Sequence, residues 1–184
     1  MELKLETDRL QLTLYESSYA KQVAELAGEW EVAATTFVPH PYTIKDAEEW
    51  IGLHKDWISK GTAYPLAMIC KESKRLLGTM TLRVNHKHQK GELAYWVGKP
   101  YWRKGYASEA AIRMVRYGFE ELNLERIWAG AMTENPASSK VMQKAGLSYE
   151  GTLKKDMLHW GEFKDINVYG MIREDFEALQ NVLE

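Results

Sequence analysis

The sequence GELAYWVGKPYWRKGYASEAAIRMVRYGFEELNLERIWAGAMTENPASSKVMQKAG occupies residues 91–146 and carries the strongest structural pattern in the chain. Its opening run at 92–97 is apolar and aromatic and predicts a strand, which breaks at 98–100. A helical pattern follows over 108–122, and a basic turn lies between the two. A helix that starts directly after such a turn leaves backbone N–H groups unpaired. Together with the positive end of the helix dipole, these groups form an anion site.

The basic turn has features that suit a phosphate ligand. Gly105 leaves no side chain between the backbone and an anion and tolerates a positive φ. Arg103 and Lys104 add positive charge, although the same residues could form a solvated cluster that binds no phosphate. We favour a pyrophosphate site, because a strand at 126–132 and a second helix at 135–145 follow in the order that a nucleotide-binding fold requires.

Three segments of the sequence together resemble the GNAT family of N-acetyltransferases, in the branch that acetylates ribosomal-protein N-termini. They are ETDRLQLTLYE at 6–16, GELAYWVGKPYWRKGYASEA at 91–110 and NPASSKVMQKAGL at 135–147. The likeness continues through YEGTLKKDMLHWGEFKDINVYGMIREDF at 149–176 and implies a single GNAT domain over residues 1–184. This pattern is specific for the fold and for acyl-CoA, and poorly specific for the acceptor.

The predicted fold is one α/β domain with a mixed, mostly antiparallel sheet and flanking helices. A helix connects the strands at 91–97 and 126–132, so we expect these two to be parallel. Residues 28–42 are less regular, and within them Phe37, Pro39, His40, Pro41 and Tyr42 read as loop. The other predicted elements are a strand at 9–15, a helix at 19–27, a helix that starts at an N-cap of Thr43 or Asp46 and ends at Ser59, strands at 64–71 and 76–84, a hairpin of 147–155 with 163–172 that turns at 160–161, and a final helix at 173–183.

The resemblance implies acetyl-CoA as the acyl donor and no metal. It implies that the two central strands splay apart just past Trp96 and Val97, so that the backbone of 95–97 pairs with the pantetheine arm. Trp102 stands where the family has Gln or Arg. The residues expected to bind the cofactor are Tyr95, Trp96, Val97, Trp102, Arg103, Lys104, Gly105, Tyr106, Ala107, Asn135 and Ser138.

The catalytic residues are harder to assign. No nucleophile with an adjacent base stands out, which fits direct attack of an amine on the thioester. Glu92 is the first candidate for general base, although a solvent-facing strand residue reads the same way. A solvated carboxylate is a weak base at neutral pH, so this role requires a bridging water or an unusual environment. Glu150 is a second candidate.

The general acid is also open. Many relatives have a Tyr seven residues after the Asn of the second helix, and here that position is Met142, which cannot donate a proton. Ser138 lies three residues after Asn135 and could bond the sulfur, or it could serve the helix start instead. Departure of the thiolate without an acid is a third alternative.

Composition narrows the class of protein. A net charge of −2 argues against a nucleic-acid partner, and one cysteine, Cys70, fits a reducing compartment. No signal-peptide pattern or apolar run of about 18 residues appears, so we expect no membrane partner and a cytoplasmic protein, either monomer or homodimer.

His86 and His88 read as a solvated loop rather than a metal site. Trp30, Phe37, Tyr42 and the His159–Trp160 pair are candidates for the acceptor cleft or for packing.

Three functions therefore remain open. The first is an N-acetyltransferase for the α-amine of a protein N-terminus, of the ribosomal-protein type. The second is an acetyltransferase for a small amine such as a polyamine, an antibiotic or an amino-acid analogue. The third is a module that binds acyl-CoA without turnover, which the missing Tyr and the uncertain base suggest.

Overall fold

A computed structural model describes residues 3–183, and within them the chain forms one eight-stranded sheet. The strands are β1 (Lys4–Glu6), β2 (Leu10–Thr13), β3 (Ala63–Cys70), β4 (Leu76–Asn85), β5 (Lys90–Val97), β6 (Arg126–Met132), β7 (Ser148–His159) and β8 (Glu162–Ile172). Their order across the sheet is β1-β2-β3-β4-β5-β6-β8-β7. Only β5 and β6 are parallel among these pairs, and α4 makes the crossover between them. The predicted mixed, mostly antiparallel sheet is confirmed.

Helices cover both faces of the sheet and divide the core in two. The helices are α1 (Ala20–Ala27), α2 (Trp30–Ala33), α3 (Ile44–Ser59), α4 (Tyr106–Glu120), α5 (Pro136–Lys144) and α6 (Arg173–Leu183). One core contains the buried face of α4, including Met114 and Phe119. The other lies under α1 and α3 and contains Val23, Ala47 and Trp96. Alternate residues of β3, β4 and β5 enter the two cores because successive strand side chains point to opposite faces.

Three local predictions need correction. Helix α4 begins at Tyr106, two residues before the predicted start, because Gly105 already takes the left-handed conformation of the residue that precedes it. The four-residue helix α2 lies within the less regular segment 28–42, where no helix is predicted. Strand β1 was not predicted, and it has only three residues. Elements this short carry no measurable periodicity, which is why the sequence pattern misses them.

The position of the splay also differs from the expectation. Strands β5 and β6 pair only from Lys90 to Glu92, and the pair of Glu92 with Trp128 is the last one. Beyond that point β5 stays paired with β4 as far as Val97, and β6 stays paired with β8 as far as Met132. Each central strand thus follows its outer neighbour. The gap opens four residues before Trp96, rather than just past Trp96 and Val97. No helix among the described residues is long and apolar enough to cross a membrane.

Candidate active site

The gap between β5 and β6 opens into a cleft of about 1470 Å³ that crosses the molecule. We call its two ends the α4 side and the α3 side. The α4 side consists of the cleft-lining residues of 95–108 and 135–144. The α3 side consists of the cleft-lining residues of 35–57, 79–83 and 153–157. Glu92 lies between them, where the two central strands part.

The start of α4 lies on the α4 side and has no cap. Gly105 precedes the helix with a φ of 80°, and no side chain accepts a hydrogen bond from the first helical turn. The first N–H to bond within the helix is that of Glu109, which donates to the Gly105 carbonyl at 3.0 Å. The N–H groups of residues 106–108 are therefore available to a ligand. A Cβ on Gly105 would meet only the Arg9 guanidinium, at 3.4 Å. This turn fits a diphosphate, which needs donors, positive charge and space.

Main-chain groups of β5 also face the gap. The Gly98 N–H donates to the Leu77 carbonyl at 2.9 Å, and hydrogen-bonded pairs alternate along an antiparallel ladder. The main-chain groups of Leu93, Tyr95 and Val97 therefore point away from β4 and into the gap. Those of Trp96 point toward β4, and its side chain is buried in the core beneath α1 and α3. Trp96 thus does not present its main chain to a ligand in the gap, contrary to the expectation.

The side chain of Trp102 bonds the end of β5. Its indole N–H donates to the Val97 carbonyl at 2.6 Å, which folds the side chain back onto the end of β5. One of the main-chain acceptors expected to bind pantetheine is therefore occupied. The groups that remain in the gap are those of Leu93 and Tyr95 together with the Val97 N–H. Arg103, which has a φ of 60°, stays exposed beside the turn.

Helix α5 closes the α4 side from the opposite wall. Asn135 caps the helix, because its Oδ1 accepts the Ser138 N–H at 3.2 Å, and its Nδ2 makes no bond within the described residues. The Ser138 hydroxyl lies 2.7 Å from the Tyr95 hydroxyl, which bridges strand and helix. Burial raises the pKa of Tyr95 to about 12 although the Ser138 bond opposes it, so Tyr95 is protonated at neutral pH. Met142 is fully buried in the core.

This Tyr95–Ser138 pair was not predicted from the sequence. Tyr95 was expected to bind through its main chain only, and its side chain was not considered. The two residues are 43 positions apart, so no local spacing could signal the contact. The signal that was present is the alternation of β5, which places Leu93, Tyr95 and Val97 on the same face as α4.

The two candidate bases have different surroundings. Glu92 lines the cleft, is 34% exposed, and its Oε1 accepts a bond from Arg83 Nη1 at 3.3 Å. A single exposed contact of this kind holds a carboxylate weakly. Glu150 instead makes a two-pronged ion pair with Arg126, in which one bond is 2.6 Å long. That bond lowers the pKa of Glu150, and the residue lines a separate small cavity behind β6. The structure thus argues against Glu150 as the base.

The charges along the cleft are unequal. On the α4 side the lining includes three basic side chains, those of Arg103, Lys140 and Lys144. On the α3 side it includes three carboxylates and one base. The carboxylates are those of Asp46, Glu49 and Asp156, and the base is Arg83, which is paired with Glu92. The cleft is therefore positive where a diphosphate fits and negative at the other end.

Aromatic rings line the α3 side and close its outer rim. The lining rings are those of Phe37, Tyr42, Trp50 and Trp57. Trp30 lies outside the lining, and its ring packs against that of Trp160 with centroids 5.0 Å apart. The hairpin turn that contains Trp160 is fixed to the end of α2, because the indole N–H donates to the Ala33 carbonyl at 3.2 Å.

The loop that contains His86 and His88 is bonded to the protein main chain. His86 Nε2 lies 2.8 Å from the Gly61 carbonyl, which ties the loop to the end of α3. Within residues 3–183 no group of three or more His, Cys, Asp or Glu side chains is placed to hold a metal ion.

Comparison with known proteins gives this geometry a family. A family model described as "Acetyltransferase (GNAT) domain" matches residues 9–148, which include strands β2 to β6, the uncapped turn and helix α5. The chain belongs to the GNAT acetyltransferase family. This GNAT protein is an N-acetyltransferase that uses acetyl-CoA as its acyl donor. The family resemblance and the fold inferred from the sequence are thus confirmed.

Relatives of this GNAT protein extend over the whole chain. YnaD of Bacillus subtilis, described as an uncharacterized N-acetyltransferase, is 32% identical and covers 95% of this chain and 99% of its own length. A GNAT-family acetyltransferase from Bacillus anthracis superposes with a TM-score of 0.84 at 26% identity and covers 94% of this chain and 99% of its own.

Two shorter matches have more specific descriptions. The putative ribosomal N-acetyltransferase YdaF of Bacillus subtilis is 28% identical over 56% of this chain and 57% of its own length. Spermidine N(1)-acetyltransferase of Escherichia coli is 30% identical over 46% of this chain and 45% of its own.

Proposed function

We propose that the α4 side of the cleft binds acetyl-CoA and that the α3 side binds the amine acceptor. The observation that carries this proposal is the uncapped start of α4, which faces the same cleft as the free main chain of β5. The N–H groups of residues 105–108 would hold the diphosphate. Leu93 and Tyr95 would bond the pantetheine arm as an added strand, and the Asn135 Nδ2 would donate to an amide carbonyl of that arm.

We assign proton transfer to Glu92 and thiolate stabilisation to the Tyr95–Ser138 pair. Acetyl-CoA supplies the acyl group. Glu92, acting through a water molecule, removes a proton from the acceptor ammonium, so that the free amine can attack the thioester carbon and form the amide. The carbon–sulfur bond breaks, and the Ser138 hydroxyl bonds the departing sulfur while Tyr95 bonds Ser138. After the attack the nitrogen releases a second proton, so that a neutral amide results. One of the two protons ends on the thiolate, which leaves as the thiol of CoA, and the other passes through Glu92 to solvent.

We propose a positively charged amine as the acceptor, with the N-terminal α-amine of a basic peptide as the first candidate. Carboxylates on the α3 side would attract a cationic chain. The relationship to YdaF supports an acceptor of the ribosomal-protein type. We also propose that residues 1–184 act as a single GNAT domain in the cytoplasm.

A small polyamine is the second candidate. The rings of Trp50 and Trp57 lie on the α3 side near Asp46 and Glu49, and aromatic faces with carboxylates suit alkylammonium groups. The relationship to the spermidine acetyltransferase supports this alternative. Both candidates predict the same electrostatic preference, so only direct comparison of substrates separates them.

The acceptor is identified by measuring CoA release with a panel of amines. The panel contains basic peptides with free and with blocked N-termini, spermidine, and uncharged amines of similar size. A peptide acceptor predicts that blocking the N-terminus abolishes turnover, and a polyamine acceptor predicts the highest kcat/KM for spermidine. If acetyl-CoA binds but no amine in the panel leads to release of CoA, the protein is an acyl-CoA-binding module without turnover.

Charge variants test the site of acceptor binding. The double variant Glu49→Gln/Asp156→Asn should raise the acceptor KM about tenfold, because two attractive charges are lost, and leave the KM for acetyl-CoA unchanged. Glu48→Gln is the matched control, since Glu48 is exposed on α3 and outside the cleft lining. Equal acceptor KM values in the double variant and the control would contradict the assignment.

A further inference from the structure

A cluster of contacts joins the segment before β2 to the turn before α4. The Arg9 Nε and backbone N–H donate to the two carboxylate oxygens of Glu109 at 2.7 and 2.9 Å, and the Thr7 hydroxyl donates to the same carboxylate. Arg9 Nη1 donates to the Lys104 carbonyl at 3.0 Å. The guanidinium also stacks over the Tyr106 ring, 4.6 Å from its centroid. We call Thr7, Arg9 and Glu109 the clamp.

The clamp holds the carboxylate of Glu109 firmly. The Glu109 side chain is only 18% exposed, and burial by itself would raise its pKa. The bonds from Thr7 and Arg9 outweigh burial, so the pKa is lowered and the carboxylate stays charged. A charged group with three donors at fixed positions is well ordered. Because Glu109 belongs to the first turns of α4, this order extends to the helix start.

The bond from Arg9 to Lys104 also fixes the direction of one N–H group. The Lys104 carbonyl and the Gly105 N–H belong to the same planar trans peptide, so they point in opposite directions. Arg9 and Lys104 are outside the cleft lining, whereas Gly105 and Tyr106 are part of it. With the Lys104 carbonyl bonded to Arg9, the Gly105 N–H is directed away from the Arg9 guanidinium, and Gly105 itself lines the cleft.

We propose that Arg9 is a positioning residue for the acyl donor, acting through the clamp to set the donor groups of the turn at 103–107. It orients main-chain donors toward the diphosphate and does not itself act as the phosphate's counter-charge. This proposal rests on the assignment of the turn as the diphosphate site. It also explains the segment ETDRLQLTLYE at 6–16, which the mechanism otherwise leaves without a role.

The test compares two ligands that share one arm. CoA contains the diphosphate, and pantetheine lacks it but keeps the arm that lies along β5. Calorimetric affinities for both are measured with Arg9→Met and Arg9→Lys, and turnover is measured with acetyl-CoA and S-acetylpantetheine. Arg116→Met is the matched control, because Arg116 lies on the exposed face of α4 and pairs only with Glu120 at 3.2 Å. It removes the same charge from the same part of the molecule.

Arg9→Met should weaken CoA about tenfold or more, because a fixed charge-assisted bond is worth at least that factor. Its affinity for pantetheine and its kcat with S-acetylpantetheine should stay within about twofold of the wild type. Arg9→Lys should resemble Arg9→Met, since an ammonium cannot span Glu109 and the Lys104 carbonyl as the guanidinium does. Arg116→Met should change neither affinity.

Three results would overturn the proposal. If Arg9→Met binds CoA like the wild type, the clamp does not position the turn. If it weakens CoA and pantetheine equally, the effect is general loss of structure. If Arg9→Lys keeps wild-type affinity, Arg9 acts by charge alone. The variant Gly105→Glu distinguishes failure of the clamp proposal from failure of the diphosphate-site assignment. A clamp that fails while Gly105→Glu still abolishes CoA binding refutes only the clamp, and wild-type CoA binding in Gly105→Glu refutes the diphosphate site.

Discussion

The two sides of the cleft are built from different parts of the chain. The α4 side offers mainly backbone groups, at the start of α4 and along β5, with only a few polar side chains. The α3 side offers carboxylates and aromatic rings from α3, from β7 and from the segment before α3. Backbone recognition needs only a suitable turn and a glycine, so it suits a ligand that every member of a family shares. Side-chain recognition depends on every residue around the pocket, so it suits the part of the reaction that differs between relatives.

The starts of α3 and α4 show the same contrast at closer range. Helix α3 begins with a full capping box, in which the Thr43 hydroxyl accepts the Asp46 N–H and the Asp46 carboxylate accepts the Thr43 N–H. Helix α4 begins at Gly105 with no side-chain cap. A helix that satisfies its own donors gains stability, and a helix that leaves them free keeps an anion site. The following changes exploit this difference.

Gly105→Glu should produce the largest effect, because it places a carboxylate on the uncapped start and strains a φ of 80°. CoA affinity should fall about 10³-fold, a loss near 4 kcal/mol, by steric block and like-charge repulsion. Calorimetry measures the affinity, and circular dichroism should show that the fold is intact. Gly52→Glu is the matched control, since Gly52 is exposed on α3 with open space around it. Wild-type affinity in Gly105→Glu would refute the site.

Glu92→Gln tests the point where the two sides meet. The isosteric amide keeps the shape but cannot accept the proton, so kcat should fall about 100-fold while CoA affinity stays unchanged. Steady-state kinetics measure kcat and calorimetry measures the affinity, with Glu72→Gln in the exposed turn between β3 and β4 as the control. An unchanged kcat would exclude Glu92 as the base.

Helix α3 also contains a buried imidazole whose charge is unfavourable in the fold. His54 is only 4% exposed, neither ring nitrogen has a protein partner, and the ring packs against Trp50 with centroids 4.2 Å apart. Burial lowers its pKa from 6.5 to about 4. Between these values the unfolded chain binds a proton that the folded chain does not, so stability is full above pH 6.5 and falls as the pH drops toward 4.

His54→Phe should remove this acid sensitivity. The wild type should lose roughly 2–3 kcal/mol more than the variant between pH 6.5 and pH 4, because each pKa unit corresponds to about 1.4 kcal/mol. Urea unfolding at several pH values gives the two curves. Parallel curves would show that His54 is not held neutral, whereas CoA affinity should be the same in both proteins because the ring lies outside the cleft lining.

Thr43→Ala should have the smallest effect and completes the comparison of helix starts. Loss of the capping box should lower the free energy of unfolding by about 1 kcal/mol, which shifts the urea midpoint. CoA affinity should be unchanged, because this helix start lies on the α3 side and takes no part in the proposed CoA site. A matching loss of CoA affinity would mean that the two sides of the cleft are not independent.

The sequence predicted those features that local pattern controls. The bounds of β6 and the turn of the β7–β8 hairpin follow from apolar runs and glycine positions, and the buried residues of α4 follow from its 3.6-residue period. The uncapped turn was also predicted, because a glycine before a helix is a local signal. Strand β1 and helix α2 were missed because three or four residues show no period.

Contacts between distant residues could not be predicted in the same way. Arg126 pairs with Glu150 and Arg9 with Glu109, which are 24 and 100 residues apart. Nothing in the sequence around Glu150 indicates that its carboxylate is already held by an arginine, so it remained a candidate base until the structure was known. The early splay of β5 and β6 depends on how each strand pairs with its outer neighbour, which is also a property of the whole sheet.

The splay has a consequence for the unliganded protein. After Glu92 the middle of the sheet has an internal edge, and the amide protons of Leu93 and Tyr95 face it without a partner strand. Such protons exchange with solvent rapidly, although they lie at the centre of the fold, where exchange is normally slowest. In the binding mode proposed above, the pantetheine arm of the co-substrate would supply the absent ladder and slow that exchange. The co-substrate would then act as a ninth strand for as long as it stays bound.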